Sequence, residues 1–167
     1  MQPLEPPETH YLSAAQGWVE LGNLGEARSE LAQIGAARQN HPNVLEVRWL
    51  ICAEEGHWDE GLQAARSLIQ AAPDRASGWL HQAYALRRVQ DGGIKKAWDA
   101  LLPAFEMFPK EAIIPYNLSC YACQLKDLDG ARLWFKRALA TGSKEQIKLM
   151  ALADSDLEPL WAEIRAL

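Results

Sequence analysis

The sequence predicts an all-α fold built from successive helix–turn–helix units, and three observations predict it. Helix formers (Ala, Leu, Glu, Gln, Arg and Lys) recur throughout, while runs of β-branched residues are missing. Apolar residues return at three- and four-residue steps between short polar breaks. The breaks themselves recur at a nearly constant interval. The clearest unit is Tyr116 to Leu139, two amphipathic helices joined by the polar turn Lys126-Asp127-Leu128-Asp129. Its second helix sets Ala131, Phe135 and Ala138 on one face: small, large, small.

Taken in order, residues 1–7 are proline-rich and read as a loose tail. From Glu8 a helix is expected with Tyr11, Leu12, Ala15, Trp18, Val19 and Leu21 in one apolar stripe, ended by Gly22-Asn23-Leu24-Gly25. A second helix follows with Ala27, Leu31 and Ile34 inward, and it reads as longer than its later counterparts because Pro42 arrives late. Trp49 and Cys52 then lead through the turn Glu55-Gly56-His57 to Gly61, Ala65 and Leu68, with a stop at Pro73. Trp79, Ala83 and Leu86 lead through Asp91-Gly92-Gly93 to Ala97, Leu101 and Ala104, with a stop at Pro109. Leu118, Ser119 and Ala122 lead to the unit described above, which stops at Gly142. The repeats are expected at about 8–42, 43–74, 75–110 and 111–142. Residues 143–167 read as capping helices, begun by the patterns Ser143-x-x-Gln146 and Ser155-x-x-Glu158. The first carries Ile147, Leu149, Met150 and Leu152; Pro159 falls in the first turn of the second, and Trp161 and Ile164 pack back.

The register is checked by subtraction. Ala27, Gly61, Ala97 and Ala131 are spaced 34, 36 and 34, as are Leu31, Ala65, Leu101 and Phe135, and Leu24, Trp58, Ile94 and Leu128. Trp18, Cys52, Leu86 and Ala122 are spaced 34, 34 and 36. Two extra residues therefore lie between Leu86 and Gly92, giving the third unit a longer first helix or a looser turn. A helix–turn–helix period of 34 resembles the tetratricopeptide repeat. Trp79 fits that family's opening column, and Leu21-Gly22, Glu55-Gly56 and Asp91-Gly92 fit its turn. Ala27, Ala97 and Ala131, with Phe135 and Ala138, fit its second helix, and Pro73 and Pro109 its closing column. The run IKLMALADSDLEPLW resembles the closing segment of a group of bacterial repeat proteins. The resemblance implies an α-solenoid of about four helix pairs, each burying its apolar face on its neighbours, closed by a cap.

Composition excludes several function classes. The net charge of −5 argues against a nucleic-acid partner, which a basic stripe would serve. No apolar run approaches the ~20 residues of a membrane span, so no insertion is expected. The N-terminus shows no signal peptide, and three cysteines, an odd number, fit a reducing cytosol better than a disulfide framework. Cys120 and Cys123 form a Cys-x-x-Cys pair in mid-helix, without the further ligands a structural zinc needs. Packing or groove lining is preferred there over metal or redox chemistry. No acid–base constellation, nucleophile elbow or phosphate loop is visible, so no enzyme, cofactor or metal is expected. The tryptophans, Trp58 among them, read as packed.

The remaining candidate is a groove. In the family resembled, the first helices of the repeats line the concave face, which places Leu50, Glu54, His81, Tyr84, Arg87, Arg88, Tyr116, Asn117, Cys120 and Gln124 there. Arg binds carboxylate bidentately and Tyr offers rigid contact area, so an extended, acidic peptide is the partner this set fits. The alternative for Arg87 and Arg88 is a favourable position at a helix C-terminus. Members that bind chaperone tails carry Lys and Asn on the first two inner faces; here Leu12, Gln16 and Val47 stand instead, which disfavours that partner. The expectation is a cytosolic, non-catalytic protein-binding module, an adaptor or scaffold. The alternative is a secretion-type chaperone or a self-associating structural subunit, such as a homo-dimer.

Overall fold

The computed structural model describes residues 3–167, and among these it is all-helical. Five helices form a first compact unit that ends at Val89: α1 Glu8–Glu20, α2 Leu24–Gln33, α3 Pro42–Glu55, α4 Trp58–Ala71 and α5 Ala76–Leu86. The second unit begins at Gln90 and holds α6 Ile94–Leu101, α7 Ala104–Met107, α8 Ile113–Gln124, α9 Leu128–Thr141, α10 Lys144–Ala153 and α11 Trp161–Ala166. The chain divides in the loop that carries the two extra residues. The extra length is a looser turn, since α5 stops at Leu86.

The turns are built the same way at the same register. Gly22, Gly56 and Lys126 sit at φ 73°, 73° and 67°, the left-handed region that closes a helix. The next amide in each case donates back across the last turn: Asn23 to the Trp18 carbonyl, His57 to that of Cys52 and Asp127 to that of Ala122, at 2.8–3.0 Å. The accepting residues are the column Trp18, Cys52 and Ala122 seen in the sequence. Leu86, its third member, has no such closure; the chain continues through Arg87–Val89 with bonds to Ala83 and Ala85. Asn23 and Asp127 then cap the following helices by accepting from the amides of Glu26 and Gly130.

The small columns are the most buried positions in the molecule. Ala15, Ala27, Ala65, Ala83, Ala97, Ala131 and Ala138 are all fully buried. In the first unit Leu12, Leu31, Ile34, Val44, Val47 and Ile51 fill the space around them, with Leu4, Tyr11 and Trp18 against that core. In the second unit α8 is the centre, packed by α6, α7, α9 and the 3-10 turn Ser155–Leu160. It therefore buries nearly every side, from Ile114 through Cys123. Ser119 sits in this core with its hydroxyl donating to the Ala131 carbonyl at 2.8 Å.

Several local expectations are corrected. The second helix of the first repeat is short, not long. It stops at Gln33 because Gln39 folds back and its amide Nε2 donates to the carbonyls of Leu31 and Ile34, at 3.0 and 2.6 Å. Leu21 leaves the apolar stripe at the helix end and is exposed. Pro103, which the periodicity passes over, separates α6 from α7, since proline has no amide to continue the ladder. Ser143 does cap α10, accepting from Gln146. At the next break Asp154, not Ser155, is the cap, accepting from the Asp156 amide at 3.0 Å, and the turn it begins is 3-10 with Pro159 inside. Leu149 and Met150 of α10 point to solvent.

If close helix approach depends on the small column, enlarging it is costly. Ala131→Leu is expected to lower stability by about 1–3 kcal/mol, and Ala140→Leu, at an exposed position of the same helix, by under about 0.5 kcal/mol. Urea denaturation of the two variants checks this.

Candidate peptide-binding surface

In the first unit α3 and α5 pack side by side and present matching faces. Glu46, Leu50 and Glu54 step along α3 at four-residue intervals; Ser77, His81 and Tyr84 step along α5, with Arg88 just beyond it. The faces are joined at one end by Glu46, whose carboxylate accepts from the Ser77 hydroxyl and pairs with His81 Nε2 at 2.8 Å. Burial pushes the Glu46 carboxyl up, but the His81 and Ser77 hydrogen bonds outweigh it and hold the group below its usual range. Arg75 fixes Asn43 beside them at 2.8 Å.

The centre of the face is aromatic. The His81 ring stacks on Trp49 at 3.7 Å between centroids, and Tyr84 meets both Trp49 and Trp58 at 5.8 Å. The Arg88 guanidinium lies 3.5 Å over the Tyr84 ring and 5.0 Å from the Trp58 ring, and Nη1 donates to the Tyr84 carbonyl at 2.9 Å. No carboxylate among the described residues pairs with Arg88. Tyr84 and Leu50 remain about two-fifths exposed, and Glu54 is exposed. The surface is thus an aromatic and aliphatic strip with a cation over an aromatic ring at one end and an acid, already bonded, at the other.

The neighbouring charges are satisfied within the unit. Arg28 of α2 donates to both Glu55 oxygens at 3.0–3.1 Å through Nε, and reaches Glu60 at 3.2 Å. Those hydrogen bonds hold the Glu55 carboxyl below its usual range. This cluster ties α2 to α3 and α4 and does not line the strip.

The four α8 candidates lie in the second unit. Gln124 is exposed and Asn117 partly so. Tyr116 and Cys120 are only 4% and 2% exposed, which removes them from a contact surface. Both point at Asp154: the Tyr116 hydroxyl donates to Oδ2 at 3.0 Å and the Cys120 thiol approaches the same oxygen at 3.5 Å. Asp154 thereby latches the C-terminal segment onto α8. Ligand atoms of Cys120, Asp154 and Asp156 lie within 4.8 Å of one another, a spacing a metal ion could use. The Asp154 oxygens are, however, already taken by Tyr116, Cys120 and the Asp156 amide. Burial, with Asp154 beside it, pushes the Cys120 thiol up, and burial pushes Cys123 up to about 11, so both are protonated at neutral pH. The chemistry of the set is that of a hydrogen-bonded latch. All three cysteines are free and buried.

Sequence reasoning found Leu50, Glu54, His81, Tyr84 and Arg88 on one face. It missed Trp58 as a contributor. The available signal was its column: Leu24, Ile94 and Leu128 are half-buried like Trp58, at the mouth of each turn. Leu12 and Val47, the clamp positions, are core residues.

A solved tetratricopeptide-repeat protein of Thermus thermophilus, TTC0263, superposes with a TM-score of 0.73 at 19% identity, over 94% of this chain and 82% of that one. The chain has the tetratricopeptide-repeat fold. MamA is similar too, with a TM-score of 0.66 at 14% identity over 90% of this chain and 89% of that one. The ArsTM double mutant of MamA RS-1 gives 0.69 at 16% over 83% and 76%. No family model and no curated protein sequence matches the chain. Likeness at this level of identity concerns the tetratricopeptide-repeat architecture. Among the described residues, no helix is long and apolar enough to cross a membrane.

The paired Glu46 gives the surface a pH signature. Its pKa is lower folded than unfolded, so the stability it lends is complete above the ordinary carboxyl range of about 4.3 and is lost as pH falls through the lowered folded value. Glu46→Gln is expected to flatten the acid limb of stability between about pH 5 and pH 3. Urea midpoints across that window check this; an unchanged slope contradicts it.

Proposed function

We propose that the chain is a non-catalytic peptide-binding module, an adaptor or scaffold, that holds an extended acidic segment of a partner protein on the α3–α5 face. The observation that carries the reading is Arg88. It is a guanidinium placed over Tyr84 and near Trp58, with no carboxylate partner among the described residues, while Arg28 and Arg132 are neutralised. A cation pre-positioned on aromatic faces binds a carboxylate with little ordering cost, and the exposed parts of Tyr84 and Leu50 supply the apolar contact beside it. A reducing cytosol is the compartment that suits three free, buried thiols.

The test uses an acidic peptide kept extended by interspersed prolines, which form no helix. Arg88→Ala is expected to weaken binding at least about tenfold, with Arg88→Lys recovering only part, because lysine keeps the charge but not the planar fork. Arg66→Ala on α4 is expected to leave binding unchanged. Isothermal titration with helicity checked by circular dichroism decides the matter; full binding by a folded Arg88→Ala variant removes the assignment.

A further inference from the structure

A second surface, independent of the α3–α5 face, lies at the C-terminal end of the second unit. There α9, α10 and the chain beyond them leave an open cavity of about 690 Å³. Its apolar lining comes from Leu139 of α9, Leu149 and Leu152 of α10, and Leu167. Leu149 is 71% exposed, an unusual state for a leucine beside other leucines. A smaller cavity of about 280 Å³ shares Lys136, Leu139 and Leu167 with the first and continues to Phe135 and Ile164. The two form one apolar trough along α9.

Its charges are placed unevenly. Lys136, Lys144 and Lys148 line the larger cavity, and no carboxylate among the described residues pairs with any of them in a salt bridge. The one acid there, Glu145, accepts from the Ser143 hydroxyl at 3.2 Å and lies in the field of Lys144 and Lys148. The N-terminus of α10 is at the same end, so its dipole adds to the positive potential. At the far end Arg132 is neutralised by Glu163 at 2.7 Å and Asp129 at 2.8 Å. The trough is apolar along its length, and its lysines gather on the larger cavity.

From this we infer that the trough is a docking site for an acidic amphipathic helix of a partner protein. Charge complementarity selects the occupant. Three ammonium groups against the single carboxylate of Glu145, beside an apolar floor, leave a positive rim that repels a basic partner and attracts carboxylates flanking an apolar stripe. Length agrees. From Leu139 back to Arg132 the trough follows about 10 Å of helix, two turns, the reach of anchors spaced i, i+3, i+4 and i+7.

The probe is a fluorescein-labelled synthetic helix with leucines at i, i+3, i+4 and i+7, glutamates on the flanks and no proline. Anisotropy against the full chain is expected to show saturable binding that weakens with added salt. Lys144→Glu combined with Lys148→Glu, and separately Leu149→Glu, are each expected to weaken it at least about tenfold with helicity unchanged. If the double variant loses helicity, Lys136→Glu, outside α10, replaces it. Arg88→Ala is expected to have no effect, which separates this surface from the α3–α5 face. Absent binding, equal binding of a scrambled peptide of the same composition, or insensitivity to these substitutions overturns the assignment. So does a concentration-dependent dimer that Leu149→Glu abolishes, which makes a second copy the occupant. Binding of dodecanoate or of anionic vesicles in place of the peptide overturns it as well.

Discussion

Everything in this chain depends on how closely its helices approach, and alanine sets that distance. At each crossing a fully buried alanine or glycine faces a larger neighbour: Ala27 before Leu31, Gly61 before Ala65, Ala97 before Leu101, Ala131 before Phe135. With only a methyl group or a hydrogen to hold the backbones apart, the large residues reach across and close the gap, and the interior attains the density that dispersion requires. The column recurs at intervals of 34, 36 and 34 residues because the turns recur. A left-handed residue at 22, 56 and 126 and the bond that follows it end the first helix at one fixed point, and the second helix then starts in phase. Turn chemistry and packing thus enforce one register.

The same economy governs polar groups. Most charged side chains near the core are consumed by the fold: Arg28 by Glu55, Glu46 by Ser77 and His81, Asp154 by Tyr116 and Cys120, Arg132 by Glu163. The pairings of Glu46 and Asp154 answer a desolvation cost, and all four leave little for a ligand. What stays available is therefore informative. Arg88 is held by aromatic faces with no carboxylate partner among the described residues; Lys136, Lys144 and Lys148 stand at the rim of an apolar trough. Both are cationic on a chain whose net charge is −5, so each marks a local reversal of the surface.

The fold was legible because it is periodic: matched columns fix helix, turn and face together. What the columns do not carry was read less well. Gln39 shortens α2 through a side-chain bond across eight residues, and nothing in the local pattern announces it. Asp154 displaced Ser155 as a cap because its other oxygen is drawn to Tyr116 and Cys120, a long-range demand. The same demand buries Tyr116 and Cys120, so the inner-face register that suits α3 and α5 fails on α8. That helix is central in its unit and has almost no free side. Trp58 was assigned to packing on column position, though its half-buried edge reaches Tyr84 and Arg88. Register says which face a residue is on; it does not say what later segment covers that face.

The most direct test of the central claim, that the α3–α5 face receives an extended acidic peptide, is to map the contact by amide chemical shifts of the isotopically labelled chain during titration. The largest changes are expected around Leu50, His81, Tyr84 and Arg88 and the Trp58 indole, with α8 and the core of the second unit undisturbed. Changes centred elsewhere, or none at saturating peptide, would contradict it.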